Sequence, residues 1–394
     1  MRKVNTLFLL ITLFVQQASA QWTKITASGG GGYESMVFLN TDDGFAAGAT
    51  GIMRTSNGGA SWSPSLTLTG TRDIDFIDDQ TGFAIGIIGL MRKTVNGGIS
   101  WNSVTPPNSS SLWGISMVTK DIMYVSLVGG KVYKTINGGT NFTTQNVAGS
   151  SITLQDIFFS DASNGCAVGS GGSIYRTSNG GTNWSSVYTT PIPAGLYSIY
   201  FPTAMVGYTV GSGGSIAKST DGGATWSTQI SGTNKLLSSV HFFDALNGMA
   251  VGDSGTVLRT LNGGSNWFKE NIGTTDELQS VFLLSASSAI VGATNSFYSN
   301  PTLSTGSDKL IIQNLNISIY PNPANNLLHV NGTSSTLFDF VNLSVFDVTG
   351  NCVFTAKVHI GDSEFDISSL SKGCYVVVLT GQNTHKYIRK LLKE

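Results

Sequence analysis

One short phrase recurs six times along the chain, and it restricts the fold more than any other feature. Its copies read GIMRTSNGGASW, GLMRKTVNGGISW, GKVYKTINGGTNF, GSIYRTSNGGTNW, GSIAKSTDGGATW and GTVLRTLNGGSNW. The acidic or amide residue of each copy stands at Asn57, Asn96, Asn137, Asn179, Asp221 and Asn262, so the intervals are 39, 41, 42, 42 and 41 residues. A period near 40 residues is the length of one blade of a β-propeller.

The phrase has a local logic. Asn-Gly and Asp-Gly favour tight hairpin turns because both central positions take φ > 0, and the second glycine lets the chain leave without a Cβ clash. The Asn or Asp side chain can also bind nearby backbone N–H groups and stiffen the loop. A strand with a basic residue and a hydroxyl precedes the turn, as at Arg176-Thr177 or Lys218-Ser219. An aromatic follows it: Trp62, Trp101, Phe142, Trp184, Trp226 and Trp267, which take five of the seven tryptophans to one recurring position.

A second pattern lies upstream in each period. It reads YESMVF, TRDIDF, LWGISM, LQDIFF, LYSIYF, LSSVHF and LQSVFL, and most copies are followed by a strand such as GFAAG or GCAVG. These are brief β-rich runs bounded by turn residues, so each period holds four strands. The upstream pattern occurs seven times, anchored at Met36, Ile74, Ile115, Ile157, Ile199, Val240 and Val281, whereas the glycine-pair phrase occurs six times. The missing outer strand is expected from Gln21-Trp22-Thr23-Lys24-Ile25, which resembles the segments starting at Trp62 and Trp101. The two ends of the repeat region would then share a seventh, degenerate unit ending at Phe297-Tyr298-Ser299-Asn300. The expectation is an all-β chain with a seven-bladed β-propeller over residues 21–300.

Composition agrees. Charged residues make up 11 % of the chain and glycines number 48, which suits short strands and tight turns better than surface helices. A net charge of −1 offers no footprint for nucleic acid or an anionic membrane. At the start, Arg2 and Lys3 precede an apolar run from Leu7 to Val15 and the small residues Ala18-Ser19-Ala20. This is the form of an export signal over residues 1–20 cleaved after Ala20, and the run is about half the roughly 20 residues that a membrane span requires. No later segment is long enough to span. Of the three cysteines, Cys166 takes a position that is Phe45, Phe83 or Tyr208 in other repeats, and Cys352 and Cys374 could pair.

The T-x-[N/D]-G-G-x-[S/T/N]-W segments resemble the Asp-box, or bacterial neuraminidase repeat. Together with the GFAAG-like strands they look like the photosystem II stability/assembly factor propeller family, from Gln21 to Asn300. That resemblance implies that Asn57, Asn96, Asn137, Asn179, Asp221 and Asn262, with their aromatics, are structural turns at the blade periphery. It also implies that the basic residues before them are structural. A sialidase needs an arginine cluster for a carboxylate, and only Arg72 and Arg92 lie outside the repeated position in the propeller.

The repeats stop at residues 301–312, a Pro/Ser/Thr/Gly linker. Beyond it, ISIYPNPANNLLHV, VNLSVFDVTGNCVF, FDISSLSKGCYVVVL and HKYIRKLLKE read as strands and turns of a compact antiparallel sandwich. Residues 313–394 closely resemble the C-terminal sorting domain of the type IX secretion system of Bacteroidota. The matching residues are Tyr320-Pro321-Asn322-Pro323, Leu328-His329-Val330, Phe346-Asp347 before Gly350, Ile367 with Leu370, Gly373 ahead of Tyr375, and the basic tail Lys386, Arg389, Lys390 and Lys393. The resemblance implies a small immunoglobulin-like β-sandwich, the type IX machinery as a partner, and a secreted or outer-surface location.

Familiar catalytic patterns are missing. His241, His329, His359 and His385 show no metal-ligand spacing, and Gly169-Ser170-Gly171-Gly172 lacks the Lys-Ser/Thr of a phosphate-binding loop. No cofactor is expected. Asp73, Asp75 and Asp156 are candidates for paired carboxylates of glycoside hydrolysis, but they sit inside the innermost-strand pattern at or near a small-polar position facing backbone. The position before Asp73 differs from repeat to repeat: Glu34, Arg72, Trp113, Gln155, Tyr197, Ser238 and Gln279. Variation on a regular scaffold at the axial mouth is what a recognition surface would look like, with Trp113 suited to stack on a sugar or anchor a protein. The sequence thus points to a non-catalytic binding propeller for a glycan or protein. A secreted glycoside hydrolase of sialidase or xyloglucanase type, or an assembly factor for an envelope complex, stays open beside it.

Overall fold

The structure, a computed structural model, describes residues 22–27, 31–190 and 195–300, and in the C-terminal part 317–320, 324, 326–332, 340–347, 352–359, 362–381 and 386–393. The expected export signal at residues 1–20, Gln21 and the expected linker at 301–312 lie outside the described residues. Among the described residues no helix is long and apolar enough to cross a membrane.

Seven innermost strands, Tyr33–Phe38, Thr71–Phe76, Leu112–Met117, Leu154–Phe159, Leu196–Tyr200, Leu237–Phe242 and Leu278–Ser285, pack side by side in a closed ring. Each opens a four-stranded antiparallel sheet, and the sheets are numbered here as blades one to seven. Six blades run outward in chain order. In blade seven the outer strand is Thr23–Thr26, which pairs with Ser296–Asn300 in the register Thr23↔Ser299, Lys24↔Tyr298, Ile25↔Phe297 and Thr26↔Ser296. Trp22 packs into the core of this blade beside Tyr298. The seven-bladed propeller expected from the repeat count, with its seam between the ends of the repeat region, is the observed fold.

The repeated phrase builds the turn between third and fourth strands. The Asn57 side-chain oxygen accepts the Ser61 N–H at 2.9 Å and the Thr55 hydroxyl at 3.0 Å, and the Thr55 oxygen accepts the Gly59 N–H at 2.9 Å. Asn96, Asn137, Asn179, Asp221 and Asn262 each accept the N–H four residues on in the same way. The turn differs from the expected Asn-Gly hairpin. Left-handed φ falls on the two glycines, +65° at Gly58 and +82° at Gly59, and not on Asn57, because the side-chain clasp to residue 61 widens the loop between strands ending at Ser56 and resuming at Ser63.

The same phrase joins blade to blade. A Cβ on the second glycine would meet the blade before it: 2.5 Å from the Phe45 ring at Gly98, and 2.5 Å from the Cys166 sulfur at Gly223. The following aromatic fills that seam too, as where Trp62 stacks on Phe297 with centroids 4.2 Å apart and Trp267 meets Tyr208 edge-on at 6.4 Å. The basic residue reaches the opposite way, to the first glycine carbonyl of the next blade: Lys93 to Gly138 at 2.8 Å, Lys134 to Gly180 at 3.0 Å, Arg176 to Gly222 at 3.1 Å and Lys218 to Gly263 at 2.6 Å. Blade seven has no such turn to offer. Arg259 of blade six instead donates to the Ala286 carbonyl at 2.7 Å and pairs with Glu270 at 3.1 Å, both side chains being buried. Cys166 is a free, buried thiol whose pKa burial pushes up to about 12, in keeping with its place among the core residues.

The C-terminal part forms a three-stranded antiparallel sheet of Ile317–Tyr320, Leu327–Gly332 and Asp362–Asp366, and a four-stranded one of Phe340–Phe346, Cys352–His359, Gly373–Gly381 and Lys386–Lys393. Leu328 and Val330 of the first sheet share one apolar core with Leu343, Val345, Val377 and Leu391 of the second. Ile367 and Leu370, singled out in the sequence, complete that core. Cys352 is a free, exposed thiol, and the side chain of Cys374 lies outside the described residues.

Candidate functional site at the axial mouth

Every innermost strand carries one irregularity at its mouth end. The pairing with the second strand jumps between Tyr33 and Ser35, Thr71 and Asp73, Leu112 and Ile115, Leu154 and Asp156, Leu196 and Ser198, Leu237 and Ser239, and Leu278 and Ser280. The residues left out of register include Glu34, Arg72, Trp113, Gln155, Tyr197, Ser238 and Gln279. These are the positions at which the repeats vary. A β-bulge unpairs a residue and re-aims its side chain, so the scaffold frees these seven positions from sheet geometry.

Three of them meet. Arg72 pairs with Glu34 of the preceding blade at 3.2 Å, and its guanidinium carbon lies 3.5 Å from the centroid of the Trp113 ring on the following blade. A carboxylate, a guanidinium and an indole therefore form a ladder across blades one, two and three. Partial desolvation at the mouth raises the Glu34 carboxyl above the usual range, with Asp73 and Glu277 adding to this and Arg72 opposing it. Among the described residues no hydrogen bond or ring contact ties Gln155 or Tyr197 to the ladder. Gln279 lies near Gly32 at the boundary of blades seven and one. The Trp113 Nε1, the Arg72 Nε and the Gln279 Oε1 are buried without a hydrogen-bond partner. Unsatisfied groups of this kind cost about 1–3 kcal/mol each, a deficit that a ligand or ordered water makes good.

Beneath the mouth, side chains cap the free edge N–H groups of the next blade's innermost strand. Asp73 accepts from Ile115 at 2.8 Å, Asp75 from Met117 at 2.7 Å and Asp156 from Ile199 at 2.8 Å. Ser116, Ser198, Ser239 and His241 do the same for Phe159, Val240, Val281 and Leu283. Each Asp also accepts the N–H of the residue after it. Burial raises all three carboxyls, Asp75 to about 7, while the N–H bonds pull downward. Burial likewise holds His241 neutral, at about 3. Sequence reasoning placed Asp73 and Asp156 in a small-polar ring; their reach to the neighbouring blade needed the structure. Among the described residues no group of His, Cys, Asp and Glu is arranged to hold a metal ion.

The matches to known proteins follow this division. Residues 186–272 match the family described as photosynthesis system II assembly factor YCF48, and residues 318–394 match the secretion system C-terminal sorting domain. No curated protein sequence matches the chain. Among solved structures, YCF48 bound to a D1 peptide is similar with a TM-score of 0.60 at 19 % identity, over 71 % of this chain and 97 % of that one. YCF48 from Cyanidioschyzon merolae gives 0.59 at 16 %, over 71 % and 98 %. The GH74 enzyme of Niastella koreensis gives 0.61 at 12 %, over 93 % of this chain and 67 % of that one. At these identities the likeness is one of fold. The chain joins a seven-bladed propeller resembling the photosynthesis system II assembly factor YCF48 to a tail that matches the secretion system C-terminal sorting domain.

Proposed function

We infer that the protein is exported by the type IX route, with residues 313–394 as the sorting signal, and that the propeller of residues 21–300 acts outside the cell as a non-catalytic binding module. Its ligand, a glycan or a protein, is taken at the axial mouth. The observation that carries this reading is the Glu34–Arg72–Trp113 ladder on bulged, repeat-variable positions beside three unsatisfied polar atoms. An indole backed by a guanidinium offers a flat face for a sugar ring or an apolar side chain.

A glycoside hydrolase reading is favoured by the likeness to GH74 enzymes. Against it, Asp73, Asp75 and Asp156 each spend both oxygens on backbone N–H groups within the blade seams. The test is a glycan array and a surface-protein pull-down with the full chain and its Trp113→Ala variant. Binding by the parent that the variant loses, with no reducing sugar released from xyloglucan or sialylated substrates, is expected. Release of sugar, or binding indifferent to Trp113, overturns the reading.

A further inference from the structure

A groove of about 670 Å³ lies between blades five and six, whereas the axial ladder is built on blades one to three. Its wall is the loop after the outer strand Ser227–Gln229, facing Lys269 on the outer strand of blade six. Hydroxyl and amide groups of Gln229, Ser231 and Asn234 line it, together with Lys235 and Lys269, and no carboxylate does. Ile230 beside them is 90 % exposed, the most exposed of the large hydrophobic residues described.

The use of positive charge elsewhere makes this groove distinctive. The described propeller carries thirteen lysines and arginines. Ten are committed to an ion pair or a hydrogen bond, mostly as the blade clasps and edge pairs described above. Lys131, Lys235 and Lys269 have neither among the described residues, and two of these three line the one groove. In a chain of net charge −1, two uncommitted ammonium groups in a concavity without a carboxylate form a local anion-attracting field.

We propose that this groove is a second binding site, for an acidic polysaccharide whose sugar-borne carboxylate or sulfate groups are held by Lys235 and Lys269. The open groove suits a chain better than an enclosed small molecule. The amide and hydroxyl lining matches sugar hydroxyls, and Ile230 offers an apolar surface to the C–H face of a pyranose. Ammonium groups act as point charges and accept carboxylate or sulfate without a fixed fork.

The full chain is titrated with polygalacturonate, dextran sulfate and neutral dextran at two salt concentrations. Binding of at least one anionic polymer, weakened by salt, is expected, with little for neutral dextran. Lys235→Ala with Lys269→Ala should cut affinity about tenfold or more, at roughly three- to fivefold per exposed contact, whereas Lys131→Ala should leave it unchanged. The two polymers distinguish carboxylate from sulfate as the preferred group. Equal binding of neutral dextran, no binding of either polyanion, or an equal loss in Lys131→Ala overturns the proposal. The Trp113→Ala variant should bind these polymers as the parent does, which keeps this test separate from that of the axial mouth.

Discussion

Arg72 stands between two residues contributed by different blades, its guanidinium carbon 3.5 Å from the Trp113 ring centroid and its Nη1 3.2 Å from the Glu34 carboxylate. A planar cation is suited to this double duty, and an ammonium is not. Arg72→Lys should therefore weaken ligand capture at the mouth nearly as much as Arg72→Ala. A double-mutant cycle with Trp113→Ala should give a coupling of about 0.5–1 kcal/mol. Independent effects of the two substitutions in that cycle would count against the ladder as a unit.

Arg259, held by Glu270 of its own blade, seals blade six to blade seven through the Ala286 carbonyl, where the glycine-turn clasp is missing. Removing one member leaves a buried charge without its partner, which costs about 3–5 kcal/mol. Glu270→Gln should lower the urea midpoint accordingly. Glu34→Gln, at the exposed mouth, should lower the unfolding free energy by no more than about 1 kcal/mol.

Acidity acts through the channel carboxylates. The folded-state pKa of Asp75 is raised to about 7, so the protonated form is favoured in the folded chain. This contribution to stability is fully present below the unfolded value near pH 4 and is lost as pH rises through about 7, a change on the order of 1–3 kcal/mol. Urea midpoints measured across that window should fall as pH rises. Asp75→Ser should make the dependence shallower, the shares of Asp73 and Asp156 remaining, without unfolding the chain, because serine already caps the edge N–H at the equivalent place in blade three, where Ser116 serves Phe159.

At the second glycine of the repeated turn, two demands coincide. Gly223 has φ +81° and would place a Cβ 2.5 Å from the Cys166 sulfur, whereas Gly273 has φ +75° with nothing within 4 Å. Gly273→Ala should cost about 1 kcal/mol for the backbone alone. Gly223→Ala adds the collision and should cost about 2–4 kcal/mol. Thermal unfolding of the two variants checks the difference, and equal losses would mean that the seam yields freely.

Blade number and seam were legible in the sequence because a repeat forces one count: Met36 to Val281 mark seven inner strands, and Trp22 supplies the outer aromatic that the last unit lacks. The varying position at Glu34, Arg72 and Trp113 was legible as variation. The bulge that releases it was not, since a one-residue register jump leaves no mark in a strand's apolar pattern. The clasp from Lys93 to the Gly138 carbonyl links residues 45 apart and is invisible to any local pattern. The groove at Lys235 and Lys269 is assembled from two stretches that carry no repeat signal. The turn at Asn57 departs from an Asn-Gly hairpin because side-chain clasps, and not the dipeptide, set the loop width.

The pairing of Thr23 with Ser299 ties together residues 276 positions apart. Closing a chain segment of that length costs on the order of 5 kcal/mol in lost freedom before any contact repays it. The buckle therefore cannot fasten early: six sheets can form as their sequence emerges, but the ring stays unclasped until the last of them is present. A chain interrupted anywhere before Asn300 is left with an open sheet edge, so integrity of the whole propeller is decided at a single late event.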